Sequence, residues 1–192
     1  AAIPRAGIVH RIDKDTTGLL VVAKTLKAHH SLVRQLQKKT VFREYEAIAG
    51  GVLTGGTTIE EPIGRHPTQR TRMAVVEDGK DAVTHFRVIE RFRSHTHIKV
   101  QLETGRTHQI RVHLAHLRYP LLGDPLYSRL RLPKGASERL VRALKKFPRQ
   151  ALHARTLGLI HPETKEEMEW TTELPEDMQA MLSLLRADAE EA

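Results

Sequence analysis

The stretch Gly7-Ile8-Val9-His10-Arg11-Ile12-Asp13-Lys14-Asp15-Thr16-Thr17-Gly18-Leu19 runs from apolar residues into a polar cluster. Leu19-Leu20-Val21-Val22-Ala23 then leads out of it. The pattern predicts strand, loop, strand, with an arginine and an aspartate held on the loop between two buried elements. Loops fixed by rigid neighbours are where chemistry tends to sit. A plain polar turn on Asp15 and Thr16-Thr17-Gly18 is the other reading of the same residues.

Working outward, Thr25 is placed to cap a helix reaching about residue 39, with Leu26, Leu32, Val33 and Leu36 on one face. Residues 41–49 read as a strand. Gly50-Gly51 and Gly55-Gly56 mark turns. Residues 62–71 read as an irregular basic loop. Residues 73–76, 82–92 and 96–102 read as strands, the last alternating Ile98, Val100 and Leu102 with polar neighbours. Residues 108–117 read as a helix. Ser137 caps another through residue 146, with Leu140, Val141 and Leu144 inward. Strands are expected at 152–160 and 168–171, then a helix over 175–185 and a frayed acidic tail from Asp188. Strands outnumber helices and follow one another closely, which argues α+β with a mixed or antiparallel sheet.

Composition sets the outer limits. The chain has 192 residues, 40 % hydrophobic and 28 % charged, enough for one domain with a proper core. No window holds the roughly 18 apolar residues of a membrane span. Cysteine is absent, which excludes disulfides and thiolate metal sites and suits a reducing, cytoplasmic setting. The formal net charge of +8 favours a polyanionic partner such as nucleic acid. Aromatic residues make up only 4 %, so phosphate contacts and shape should outweigh base stacking.

The segment HRIDKDTTGLLVVAKT resembles the His-Arg-Leu-Asp motif of the RluA family of pseudouridine synthases, with Ile12 in place of Leu. Arg43-Glu44-Tyr45-Glu46-Ala47 and Glu103-Thr104-Gly105-Arg106-Thr107-His108-Gln109-Ile110-Arg111-Val112-His113 resemble the same family in the same order. Gln150-Ala151-Leu152-His153-Ala154 and His161-Pro162 also fit. The likeness covers essentially the whole chain. It leans toward the branch that modifies large-subunit ribosomal RNA. It implies an α+β pseudouridine synthase fold: a bent, mostly antiparallel central sheet flanked by helices, with a catalytic cleft. It also implies that residues 1–192 are one catalytic domain, without the family's upstream Lys-Pro strand and that branch's S4-type RNA-binding domain. A monomer acting on a ribosomal RNA stem-loop is the expectation.

The implied reaction breaks the C1′–N1 bond of uridine, turns the uracil, and joins C1′ to C5. No atom enters or leaves, so no metal or cofactor is expected. By resemblance Asp13 is the catalytic carboxylate; attack on C1′, attack on the base and assistance to loss of the C2′ proton all remain open to it. Arg111 is the expected partner of that carboxylate, because its fork grips bidentately where a lysine cannot. Tyr45 is the expected site tyrosine, its ring on the uracil and its hydroxyl near a proton in transit. A uridine inside a stem must first be flipped out. Arg11 is expected to fill the vacated stack, with His10 beside it. Arg65, Arg70 and Arg72 form a basic loop for phosphates. Arg106, His108, Gln109, Leu152 and His153 are expected to line the pocket. The twelve histidines lack the spacing of a zinc site, so no metal site is expected. A non-catalytic RNA-binding domain is the alternative function. A glycosidase using Asp13 with Glu103 is a third.

Overall fold

Ala47, Ala49, Ile98 and Val100 are completely buried and form the centre of the sheet. They lie on β2 (Phe42–Gly50) and β7 (His95–Leu102), which pair antiparallel with Ala47 opposite Ile98 and Tyr45 opposite Val100. The computed structural model describes residues 2–192. Outward from this pair, the seven-stranded sheet runs β1 (Thr17–Gly18), β8 (Leu152–Ile160), β2, β7, β6 (Val83–Arg91), β3 (Thr57–Glu60). A further strand, β9 (Glu167–Thr171), also pairs with β8. Every pairing is antiparallel except β1 with β8. The family expectation of a mostly antiparallel α+β sheet is met.

Helices cover both faces, which is why β2 is buried without interruption from Tyr45 to Gly50. On one face lies α2 (Gln109–His116), packed through Ile110 and Leu114 against Tyr45, Ile98, Val100 and Leu152. On the other, α3 (Glu138–Lys146) and α4 (Glu176–Glu191) bring Leu140, Leu144, Met178 and Leu185 onto Ile48 and Phe92. α1 (Leu26–Gln37) seats Leu32 against Val41, Leu157 and Leu159. The caps are as read: Thr25 accepts from the Ala28 N–H and Ser137 from the Leu140 N–H.

Four segments depart from expectation. Residues 7–23 do not make two strands; they contain one isolated bridge, Ile8 to Val22, and the two-residue β1. The φ of Gly18 is +111°, and a Cβ there would sit 2.1 Å from the Ala154 carbonyl oxygen. The chain runs parallel to β8 there, Gly18 beside Ala154, so closely that no side chain fits. Residues 62–71 are not wholly irregular: β4 (Ile63–Arg65) pairs with β5 (Met73–Val75) as a separate ribbon whose tip is the basic segment. β3 has no alternating signal and follows from pairing with β6. The acidic tail is helical through Glu191, because Asp188 is buried and takes both arms of Arg93 at 2.7 and 2.9 Å.

That last turn is therefore part of the core. Leu185→Ala is expected to cost about 2–5 kcal/mol by urea denaturation. A cost near zero would mean that α4 is detached beyond Met181.

Candidate active site

The loop at 13–18 is fastened from β8 and the residues before it. The Gln150 side-chain amide donates to the Lys14 carbonyl at 2.7 Å and to the Thr16 hydroxyl at 3.0 Å. Arg149 donates to the Asp15 carbonyl at 3.1 Å. Thr17 meets His153 Nδ1 at 2.7 Å, and the Leu19 N–H donates to the Ala154 carbonyl at 2.9 Å. The loop itself closes with the Thr16 N–H on the Asp13 carbonyl at 3.0 Å. Asp13 thus projects from a short turn that a rigid strand holds in place.

What faces it is an arginine that is already held. Arg111, on α2, donates from Nε and Nη2 to both carboxylate oxygens of Asp124, at 2.7 and 2.9 Å. Its remaining arm, Nη1, lies 3.5 Å from Asp13 Oδ2. Asp124 has no side-chain exposure and Arg111 has 5 %. Asp124 also accepts from the Leu126 and Tyr127 N–H groups. The Tyr127 ring lies against the guanidinium, 5.1 Å from centroid to Cζ. Burial works against the arginine's charge, but the Asp124 hydrogen bonds and both carboxylates outweigh it and raise its pKa. The cation is kept and aimed, with its short contacts on Asp124 and its loose one on Asp13.

The recess beside this pair is lined by Asp13, Thr16, Arg43, Tyr45, Thr107 and Leu152, among others. Tyr45 is 6 % exposed. Burial pushes its hydroxyl up to about 12; the Arg43 charge pulls it down and Asp13 pushes it up. It is a protonated phenol at neutral pH, able to donate a hydrogen bond. Leu152 and Ile110 close the apolar side.

The other expected residues divide. Arg11 is exposed at the rim, shared by this recess and a second one next to it. It does not pair with Asp15 or any other acid among the described residues. Arg106 and Gln109 line the recess as expected. The Gln109 amide, however, is committed: it accepts from Thr104 and from the Arg106 N–H and donates to Val83 and Thr84, bracing the loop at 103–107. His108 does not line the recess. It takes a left-handed conformation with φ 56° ahead of α2, and its Nδ1 meets the Tyr127 hydroxyl at 2.7 Å. His153 is turned to Thr17 instead. His10 accepts the Val21 N–H at 3.0 Å and lines the second recess. Arg65 and Arg70 are exposed on the β4–β5 ribbon, and Arg72 leans over Tyr127 at 5.8 Å. The Tyr127 hydroxyl accepts from the Met73 N–H at 2.9 Å, so that ribbon is tied to the group that holds Arg111. Glu103 is paired with His85 at 3.3 Å and is absent from the recess lining, so it forms no carboxylate pair with Asp13.

Three contributors were not foreseen. Asp124 and Tyr127 sit in a loop whose sequence carries no periodic signal; their role depends on where α2 lies. Arg43 was visible as the first residue of the Tyr45 motif, on the same strand face as Tyr45.

Two measurements follow from this geometry. Asp124→Ala strands a buried guanidinium and is expected to cost about 3–5 kcal/mol of stability in urea. The second concerns pH. Burial, with the Arg43 charge, pushes His10 down to about 4; burial, with the Arg131 charge, does the same to His95. Both start from 6.5 in the unfolded chain, so below 6.5 the unfolded state binds protons that the folded state refuses. Their contribution is intact above 6.5 and is lost as pH falls toward 4. Between these limits the two together give a slope of at most roughly 3 kcal/mol per pH unit. His10→Gln should roughly halve that pair's share, measured by urea midpoints between pH 7.5 and 5.

The chain matches the family described as RNA pseudouridylate synthase over residues 2–116. It is 64 % identical to ribosomal large subunit pseudouridine synthase D of Pseudomonas aeruginosa, over 99 % of this chain and 60 % of that protein. It is 59 % identical to the Escherichia coli K12 protein of the same name, over 100 % of this chain and 59 % of that one. The chain therefore spans about 60 % of the length of these curated relatives. Among solved structures, human RNA pseudouridylate synthase domain containing 4 superposes with TM-score 0.74 at 28 % identity, covering 93 % of this chain and 75 % of that one. Human RNA pseudouridylate synthase domain containing 1 gives 0.70 at 26 %, covering 93 % and 79 %. With the ordered motifs, the antiparallel fold and the Asp13–Arg111 recess in view, the chain belongs to the RNA pseudouridylate synthase family.

Proposed function

We propose that this chain isomerises uridine to pseudouridine in RNA, and that its substrate is large-subunit ribosomal RNA. The observation that carries the reading is that Asp13 and Tyr45, from segments far apart in the chain, line one recess, and that Arg111 reaches Asp13 at 3.5 Å. The substrate class is supported by the names of the relatives.

In this reading Asp13 stands at C1′ of a uridine extruded into the recess. Arg111, 3.5 Å from its carboxylate, orients it. The C1′–N1 bond breaks, the uracil turns, and C1′ bonds to C5. The proton leaving C5 is balanced by the one gained at N1, so nothing is consumed. The detached base must be shielded from water, which would otherwise trap the sugar by hydrolysis. Leu152 and Ile110 give the recess its dry wall, and the Tyr45 ring is the surface on which the base turns. Arg11, at the rim and unpaired, occupies the gap that the uridine leaves in its stem. Arg65, Arg70 and Arg72 grip phosphates on the ribbon side. The chain acts as a monomeric catalytic domain in the cytoplasm, and no metal or cofactor takes part.

A binding-only domain is disfavoured by Asp13 itself. A carboxylate repels phosphate, and a binder has no use for one held beside a clamped arginine.

The test is tritium release from RNA carrying 5-tritiated uridine, on a large-subunit stem-loop. Asp13→Asn should lower the rate by roughly 10³-fold or more while RNA affinity stays within about threefold. Equal activity in the two proteins would remove Asp13 from the reaction. Wild-type binding without tritium release would favour the binding-only alternative.

A further inference from the structure

Arg43 is a buried cation without an anion. It is 8 % exposed, and no carboxylate pairs with it among the described residues. Its Nε has no hydrogen-bond partner. Its Nη2 reaches only the Glu103 carbonyl, at 3.4 Å. Burial drives its pKa down. An uncompensated buried guanidinium is costly to keep, and the cost vanishes when an anion binds. The fold leaves room for the head group: a Cβ at Gly105 would lie 2.7 Å from Arg43 Nη1.

The guanidinium lies where two recesses meet. One is the Asp13 recess. The other is also lined by Arg5, Arg11, Lys39 and Arg106, and Glu103 is its one acidic lining residue. That carboxylate is drawn away to His85. Arg43 and Tyr45 share a face of β2, about 7 Å apart along the strand. A single nucleotide with its base on Tyr45 extends its backbone over a comparable distance.

We propose that Arg43 receives a backbone phosphate next to the extruded uridine, and that the basic recess beyond it carries the strand onward. This rests on the RNA-modifying function argued above and adds the subsite that seats the substrate's backbone. A uracil carbonyl would satisfy the donors but leave the charge uncompensated; a phosphodiester satisfies both, and its paired oxygens match the guanidinium fork. Arg11 and Arg106 then line the path of the strand on either side.

The test is a cycle between protein and RNA charge. Stem-loops are made with a neutral methylphosphonate at the linkage 5′ or 3′ of the uridine that the wild type converts. At one linkage, the neutral group is expected to weaken wild-type binding about tenfold. Arg43→Gln on normal RNA should weaken it similarly and reduce the salt slope of binding by about one. Combined, the two changes should cost no more than either alone. Arg43→Lys should keep the salt slope but recover only part of the affinity, and it carries the same cycle if the glutamine variant does not fold. Additive losses at both linkages, or an unchanged affinity and salt slope in Arg43→Gln, would overturn the proposal. Wild-type turnover on unmodified RNA is measured in parallel. Its absence would sink the enzymatic reading, while the salt slope would still decide whether Arg43 meets a phosphate.

Discussion

The site is organised around a shared cation. Arg111 gives two of its arms to Asp124, which is wholly buried, and lends the third to Asp13. A buried ion pair is stable only when its geometry is good and its remaining hydrogen-bond capacity is met. Here Asp124 takes two backbone N–H groups as well as the guanidinium, and the Tyr127 ring covers the exposed side. The arginine is thereby prevented from collapsing onto Asp13. A carboxylate gripped at two points would be a poor participant in chemistry; one touched at 3.5 Å keeps its freedom.

The rest of the fold serves this arrangement. α2 lies between the sheet and the β4–β5 ribbon, so Gln109, Arg111 and His113 are buried and must be paired. His113 finds Thr84 at 2.7 Å and the Glu61 carbonyl at 2.8 Å, while Gln109 finds four partners. These bonds fix the rotation of the helix and hence the direction of Arg111. From the opposite side, Gln150 and Arg149 fasten the Asp13 loop. Carboxylate and cation are thus anchored to separate elements and meet at 3.5 Å beside the recess.

The basic surface has a similar division of labour. The ribbon of β4 and β5 carries exposed arginines, and its Met73 N–H donates to the same Tyr127 that shields Arg111. Under the proposed function, a phosphate held on that ribbon would bear on an element in contact with the site. Arg43 belongs to a different class. It is buried, unpaired and adjacent to Tyr45, so its charge is available to whatever enters the recess rather than to long-range attraction alone.

Much of this was legible in the residues. Alternation at Ile98, Val100 and Leu102 and the caps at Thr25 and Ser137 placed strands and helices locally, because those signals come from neighbours along the chain. Three ordered motifs named the family and, through it, Asp13, Tyr45 and Arg111. What the chain could not reveal were relations between distant segments. The Asp13 motif read as two strands, since its apolar run mimics one; the structure keeps only the bridge Ile8 to Val22 and the short pairing of Thr17 and Gly18 with β8. The tail read as frayed until Arg93 was found against Asp188. His108 and His153 read as pocket residues because they belong to the motifs, yet the tertiary structure turns them to Tyr127 and Thr17. Asp124, which holds the decisive arginine, carries no local pattern at all. Sequence by itself determined which family the chain belongs to, because that is a matter of residue type and order. Only the tertiary structure decided which charges are paired, which are aimed and which are left open, because those depend on burial and on distances between elements far apart in the chain.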